Sequence, residues 1–320
     1  MQTLISKVVA LAGGVGGARL VHGLAQCLAP EELTIIVNIG DDFEHLGMKI
    51  CPDLDTVCYT LAGLANPLTG WGRADESWTV LEELRALGCP DWFHLGDRDL
   101  ATHIERTHRL RVGQPLSQVT QDFCKAWKIP FTILPVTDDS VHTWVYTEYG
   151  KLPFQEYFVH QQCQPRVTGF EFAGVAGAAP ASGVIEALQT ADLVLICPSN
   201  PWVSVDPILA IPGIRAAISH REGFRQIIAV SPIIGGHTVK GPAAKMYTEL
   251  GIQPSALAVA RHYVPLLTGF VLDTIDAAQA NEIGHLGIRP LVTNTLMPTA
   301  GERRRLAEEV LQFALKLRMS

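Results

Sequence analysis

Short apolar runs of strand length alternate along the chain with stretches of helical periodicity. The runs predict strands over residues 7–12, 33–39, 92–95, 131–136, 193–197, 226–230, 256–260 and 289–292. Between them the spacing of apolar positions predicts helices over 18–28, 55–64, 79–87, 116–127, 182–190, 242–250 and 301–317. Strand and helix in turn imply an α/β fold, a doubly wound Rossmann-like parallel sheet. In such a sheet ligands sit outside the carboxyl ends of the strands, where the strand order reverses. Residues 141–172 depart from this rhythm, with alternating or aromatic runs at 141–147, 154–159 and 169–172. They are expected to form a small β-rich antiparallel insertion within a single α/β domain spanning 1–320. No Ser- or Pro-rich linker flanks them, and no repeat at solenoid periods is present.

Composition narrows this picture. The 320 residues are 48% hydrophobic and 18% charged, against about 25% charged in an average soluble domain, so many strands are expected to be buried on both faces. A formal net charge of -7 offers no general attraction to nucleic acid, while leaving room for a local basic pocket. Seven cysteines, an odd number without a C-x-x-C pair, read as reduced thiols. Glycines and Arg19 interrupt the apolar run at 8–12 too soon for a signal peptide, and no run approaches the length of a membrane span. A cytoplasmic protein without membrane or polynucleotide partners is expected. Its oligomeric state is left open, a homodimer among the options.

Candidate chemistry gathers at the turns. The cluster Gly13, Gly14, Gly16 and Gly17 lies between the first strand and the first helix, where bare backbone and the positive end of the helix dipole suit a phosphate. It is neither a Walker A loop, lacking Lys-Ser or Lys-Thr, nor a dinucleotide fingerprint, since Arg19 stands at the third glycine position. Asp41 and Asp42 follow the second strand, and Asp53 and Asp55 follow them. Four carboxylates within fifteen residues suit a Mg²⁺ site or a general base, though each Asp is equally suited to a turn or a helix cap. In His94-Leu95-Gly96-Asp97-Arg98-Asp99 the Arg98 fork could meet a phosphate or carboxylate, or simply be solvated at a helix start. Turns containing Ser199 and Asn200, and Ser231 through Gly235, close two later strands. His103 and His108, five apart, share no helical face and make a zinc site improbable, and Trp71, Trp78, Trp92 and Trp127 read as core.

Taken in order, GGVGGARL, VNIGDD, PDLDTV, LGDRDLATH, PSNP and AVSPIIGG with KGPAAK behind it resemble the 2-phospho-L-lactate transferase family, in bacteria also described as phosphoenolpyruvate transferase. The resemblance runs from near residue 10 to near residue 245. It implies a Mg²⁺-dependent enzyme that joins a guanylated three-carbon acid to the deazaflavin alcohol Fo, with release of GMP, in coenzyme F-420 biosynthesis. By matching motif, Gly13, Gly14, Gly16 and Gly17 would cradle the donor phosphates, and Ser199, Asn200, Ser231 and Gly235 would close around the guanosine end. Asp55 and His94 would face Fo, with Asp55 the first choice for base or metal ligand and Asp41, Asp42 and Asp53 the reserves. Arg98 would anchor a donor phosphate or carboxylate. Two positions depart from the family pattern: archaeal relatives often carry Thr within the glycine loop, and some relatives carry a basic residue at His94. The rival readings are a nucleotide-sugar-binding regulator of the gluconeogenesis-factor type and, behind it, an NAD-dependent dehydrogenase.

Overall fold

Seven of the chain's short runs form one all-parallel sheet: β1 (Val8–Ala12), β2 (Leu33–Val37), β3 (Thr132–Pro135), β4 (Leu193–Ile196), β5 (Gln226–Val230), β6 (Gly269–Asp273) and β7 (Arg289–Thr293). The computed structural model describes residues 5–219 and 225–319. Strand order across the sheet is β3-β2-β1-β4-β5-β6-β7. β1 pairs with β2 from Val8↔Leu33 to Ala12↔Val37, and with β4 from Val8↔Leu193 to Leu11↔Ile196. Every residue of β1, β4, β5 and β6 is buried, as sequence runs covered by helices on both faces must be. The chain winds outward from β1 to β3, then returns beside β1 to begin β4. The reversal therefore lies at the carboxyl ends of β1 and β4, flanked by the glycine loop and the 197–200 turn.

Three helices wall that point, α1 (Gly14–Leu24), α2 (Pro52–Leu61) and α4 (Asp97–Arg111), while α3 (Thr79–Ala86) packs on α4. A C-terminal helix, Ala300–Met319, packs along α1. The antiparallel addition is a three-stranded sheet of His142–Thr147, Gly150–Pro153 and Val167–Ala173, with the first strand in the middle. Among the described residues no helix is long and apolar enough to cross a membrane. All seven cysteines are free.

Several expected elements differ. Residues 92–95 are not a strand; Leu95 leaves the main core and packs with Ile50 and Leu100 in a small satellite cluster. Residues 256–260 begin the helix Ala256–His262, capped by the Ser255 hydroxyl, which accepts from the Ala258 N–H at 3.0 Å. Three alanines in seven residues favour the helix. The strand missing from the expected set is β6, whose Phe-Val-Leu stretch is too short to stand out between Gly269 and Asp273. Within the antiparallel addition, Glu156–His160 forms a helical turn where a strand was expected. The first helix begins at Gly14, so Gly16 and Gly17 belong to its opening turn.

Candidate active site

β1 ends at Ala12 and the chain turns directly into α1. Gly14 takes φ +62°, a left-handed conformation that favours glycine. A Cβ on Gly16 would lie 2.2 Å from the Pro198 carbonyl oxygen, so only glycine lets the 197–200 turn close against α1. Ser199 staples the two: its hydroxyl donates to the Gly13 carbonyl at 2.7 Å and lies 3.3 Å from the Gly13 N–H. The Gly14 N–H donates to Asp53 Oδ1 at 2.6 Å. That leaves the first-turn N–H groups of Val15 and Gly16 without a helical carbonyl in reach, on two residues that line the cavity. Gly17 is buried behind them and Gly235 donates its N–H to Asp276 at 3.0 Å; neither lines the cavity. Asn200 and Ser231 do, each also bracing its own turn through Trp202 N and Ile233.

The four carboxylates separate into three environments. Buried Asn38 donates through Nδ2 to Asp53 Oδ2 at 2.9 Å and Asp41 Oδ1 at 3.3 Å, tying these two together, and Gln155 donates to the other oxygen of Asp41 at 3.2 Å. Burial pushes the Asp53 carboxyl up to about 7, against the pull of Asn38 and the Gly14 amide. Burial also raises Asp41 well above the carboxylate range, with the neighbouring charges of Asp53 and Asp42 adding to it. Asp42 does not line the cavity and pairs with Lys49 at 3.2 Å.

Asp55 lies in the third environment. Its oxygens accept from both terminal nitrogens of Arg106, one at 3.1 Å and the other closer. Arg106 is buried, and although burial opposes its charge, Asp55 beside it holds the guanidinium above its usual value. The pair continues into His103, 3.2 Å from Arg106 Nη1 and 3.4 Å from Asp99, and then to Tyr59, whose hydroxyl lies 2.6 Å from Asp99. Asp99, His103 and Arg106 stand at i, i+4 and i+7 on α4, the spacing of one helical face. Sequence reasoning missed Arg106, for which that spacing was the available signal. The expectation of four carboxylates in one metal cluster is therefore corrected, because Lys49 and Arg106 neutralise two of them. Among the described residues no three His, Cys, Asp or Glu side chains gather as a metal site.

Asp41, Asp53, Asp55 and Asp99 all line one cavity of about 1160 Å³. The glycine loop, Ser199 and Asn200 form one group in the lining, together with the cations Arg19 and Lys240. A second group in the lining is aromatic: Trp92, Phe93 and Phe158, with Trp92 stacked on His160 at a ring separation of 5.3 Å and 19°, while Trp71 follows Gly70, beside Val15 and Lys240. Trp71 is 51% exposed, so the tryptophans expected in the core serve in part as cavity wall. His94 also lines the cavity and lies 3.4 Å from Arg85. Arg98 is exposed and outside the cavity; its backbone N–H is held by Glu76 at 2.7 Å.

Comparison with known proteins adds to this geometry. The family model of 2-phospho-L-lactate transferase CofD matches residues 8–285. A phosphoenolpyruvate transferase of Streptomyces griseus is 43% identical over 318 residues, covering 98% of this chain and 99% of that protein. One of Thermobifida fusca is 47% identical over 285 residues, covering 85% and 87%. Among solved structures, a UPF0052-family protein of Bacillus halodurans superposes with a TM-score of 0.62 at 17% identity, covering 96% of this chain and 99% of that one, a likeness of fold.

Proposed function

The chain belongs to the 2-phospho-L-lactate transferase family, a family of enzymes, and from that premise we propose that it transfers a phosphorylated three-carbon acid from a guanosine diphosphate-linked donor to the terminal hydroxyl of the deazaflavin Fo. The step belongs to coenzyme F-420 biosynthesis. The names of the Streptomyces and Thermobifida relatives favour the enolpyruvyl form of the acid. The observation that carries this reading is one large cavity of mixed lining. Its size exceeds the roughly 300–1,000 Å³ of a pocket for one drug-sized ligand, and its lining combines a polar, cationic group with an aromatic one. Amides, hydroxyls and cations suit a nucleoside diphosphate, and the aromatic residues suit a flat ring system.

In the proposed reaction the acceptor hydroxyl oxygen bonds to the phosphorus that bears the acid. The bond from that phosphorus to the bridging oxygen breaks, and GMP leaves with the electron pair. The hydroxyl proton passes to a carboxylate. Asp53, held near neutrality and unpaired with any cation, suits that task better than Asp55, whose charge is committed to Arg106. The N–H groups of Val15 and Gly16 orient the donor phosphates.

Asp41 fits a divalent cation: a hard oxygen donor whose repulsion with Asp53 a cation would relieve, leaving Asp53 to take the proton. Mg²⁺ is commonly held by one or two carboxylates plus substrate phosphates, which accords with so few protein ligands. When bound it would neutralise charge developing on the donor phosphates. The test is to incubate the protein with Fo, Mg²⁺ and each guanylated donor and to weigh the products. A mass for Fo joined through phosphate to the acid, together with GMP, is expected; no adduct with either donor overturns the reading.

A further inference from the structure

A cluster of cations without counter-charges stands at the opening turn of α1. Arg19 follows Gly16 by three residues and Val15 by four, and helical side chains lean toward the N-terminus, over those two positions. Arg19 lines the cavity, and its Nε is sealed from solvent without a hydrogen-bond partner. Lys240 reaches the same place from the turn after β5. Its ammonium donates to the Thr69 carbonyl, and it stands with the Val15 side chain around Gly70, 3.5 Å from where that residue's Cβ would be. Behind them, on the C-terminal helix, the Nε of Arg303 is likewise buried and unpartnered. Its neighbours Arg304 and Arg305 pair with Glu308 and Glu309, whereas none of the three clustered cations has a carboxylate partner among the described residues. The field is felt locally: burial and the charge of Arg19 lower both Lys240 and Arg303, and burial and Arg303 lower His22. In a chain of net charge -7, three adjacent cations left uncompensated call for an anionic ligand.

We infer that Arg19 and Lys240, with Arg303 behind them, form a clamp for the two phosphates of a nucleoside diphosphate, resting on the donor reading above. The Val15 and Gly16 amides supply direction, Arg19 a planar fork, and Lys240 a mobile point charge. Two phosphates span the amides and the cations, whereas one phosphate engages only part of the set. The clamp therefore holds a diphosphate donor and releases a monophosphate product.

Titration calorimetry on the full chain with GDP, GMP, ADP and inorganic pyrophosphate tests this, with melting curves to verify folding. Wild type is expected to bind GDP on the order of tenfold tighter than GMP, as one charge-assisted contact allows. Arg19→Gln and Lys240→Met should each weaken GDP by about the same factor and narrow the gap to GMP, with Arg19→Lys intermediate. Folded Arg19→Gln and Lys240→Met proteins that bind GDP as wild type does would overturn the clamp and leave the donor reading standing. Pyrophosphate binding that depends on Arg19, without preference for GDP over ADP, would uphold the clamp and overturn the guanylated donor.

Discussion

Asp53 and Asp55 stand two residues apart in the first turn of α2, both buried and both at the cavity wall, yet they occupy opposite electrostatic worlds. Asp55 is one half of a closed ion pair with Arg106, supported by His103. Among the described residues Asp53 meets only neutral donors, Asn38 and the Gly14 amide, and it shares its surroundings with Asp41. A two-residue step turns a helical side chain by about 200°, so the motif sends one carboxylate toward the glycine loop and the other toward α4. In the proposed reaction, identical chemistry in one motif thus divides into a structural half and a reactive half. What decides is whether a cation has been folded in beside the carboxylate.

The largest expected effect lies on the structural side. Asp55→Asn leaves Arg106 buried without its counter-charge, which should cost about 3–5 kcal/mol in denaturant unfolding. Replacing both, as Asp55→Asn with Arg106→Met, should recover most of that loss. A single variant that costs under about 1 kcal/mol would show that the pair is not closed in solution. On the reactive side, Asp53→Asn should lower turnover on the order of 10²-fold or more while the protein stays folded. Excess chelator should likewise abolish turnover by the wild-type protein, and full activity in chelator would remove the divalent cation from the reaction.

Stability against pH sharpens the contrast. The Asp53 carboxyl titrates near 7 in the folded chain and at about 4 when unfolded. Between those values the folded state binds more protons than the unfolded state, so the contribution of Asp53 to stability falls as pH rises and is fully lost above pH 7. Wild type should therefore lose about 1 kcal/mol per pH unit relative to Asp53→Asn between roughly pH 5 and 7. Parallel curves for the two proteins would mean that Asp53 is already neutralised, by a cation or by a neighbour.

The reversal point of the sheet was legible because its loops carry local signals. Glycines at 13, 14 and 16, and the Pro-Ser-Asn turn, have conformational reasons to stand where they do, and those reasons show in a single sequence. The Asp55–Arg106 pair joins residues 51 apart, so no window along the chain displays it. Only the α4 spacing of Asp99, His103 and Arg106 hinted at a polar face turned inward. β6 and the 256–260 run were exchanged for a similar reason: short apolar stretches suit strand and helix alike until tertiary packing decides. Trp71 and Trp92 looked like core because size and hydrophobicity do not distinguish a packed interior from the wall of an open cavity.

The smallest expected effect concerns Arg98, which the motif pattern presents as the equal of Asp55. Arg98 begins the helix that carries Arg106, but its side chain is exposed and outside the cavity, while Arg106, two turns on, is buried against Asp55. The ordered feature at Arg98 is its backbone N–H, held with that of Asp99 by the Glu76 carboxylate at the helix start. A side-chain replacement leaves this intact. Arg98→Gln should therefore change stability by no more than about 0.5 kcal/mol and turnover by less than about threefold. Glu76→Gln should do more, because it weakens the two charge-assisted bonds that begin α4 and so loosens the frame on which Arg106 meets Asp55. Steady-state kinetics on the two variants side by side decide the matter. A drop of 10²-fold for a folded Arg98→Gln would mean that α4 turns on binding substrate and brings the guanidinium into the cavity, and the division between Asp53 and Asp55 would then need a third charged partner.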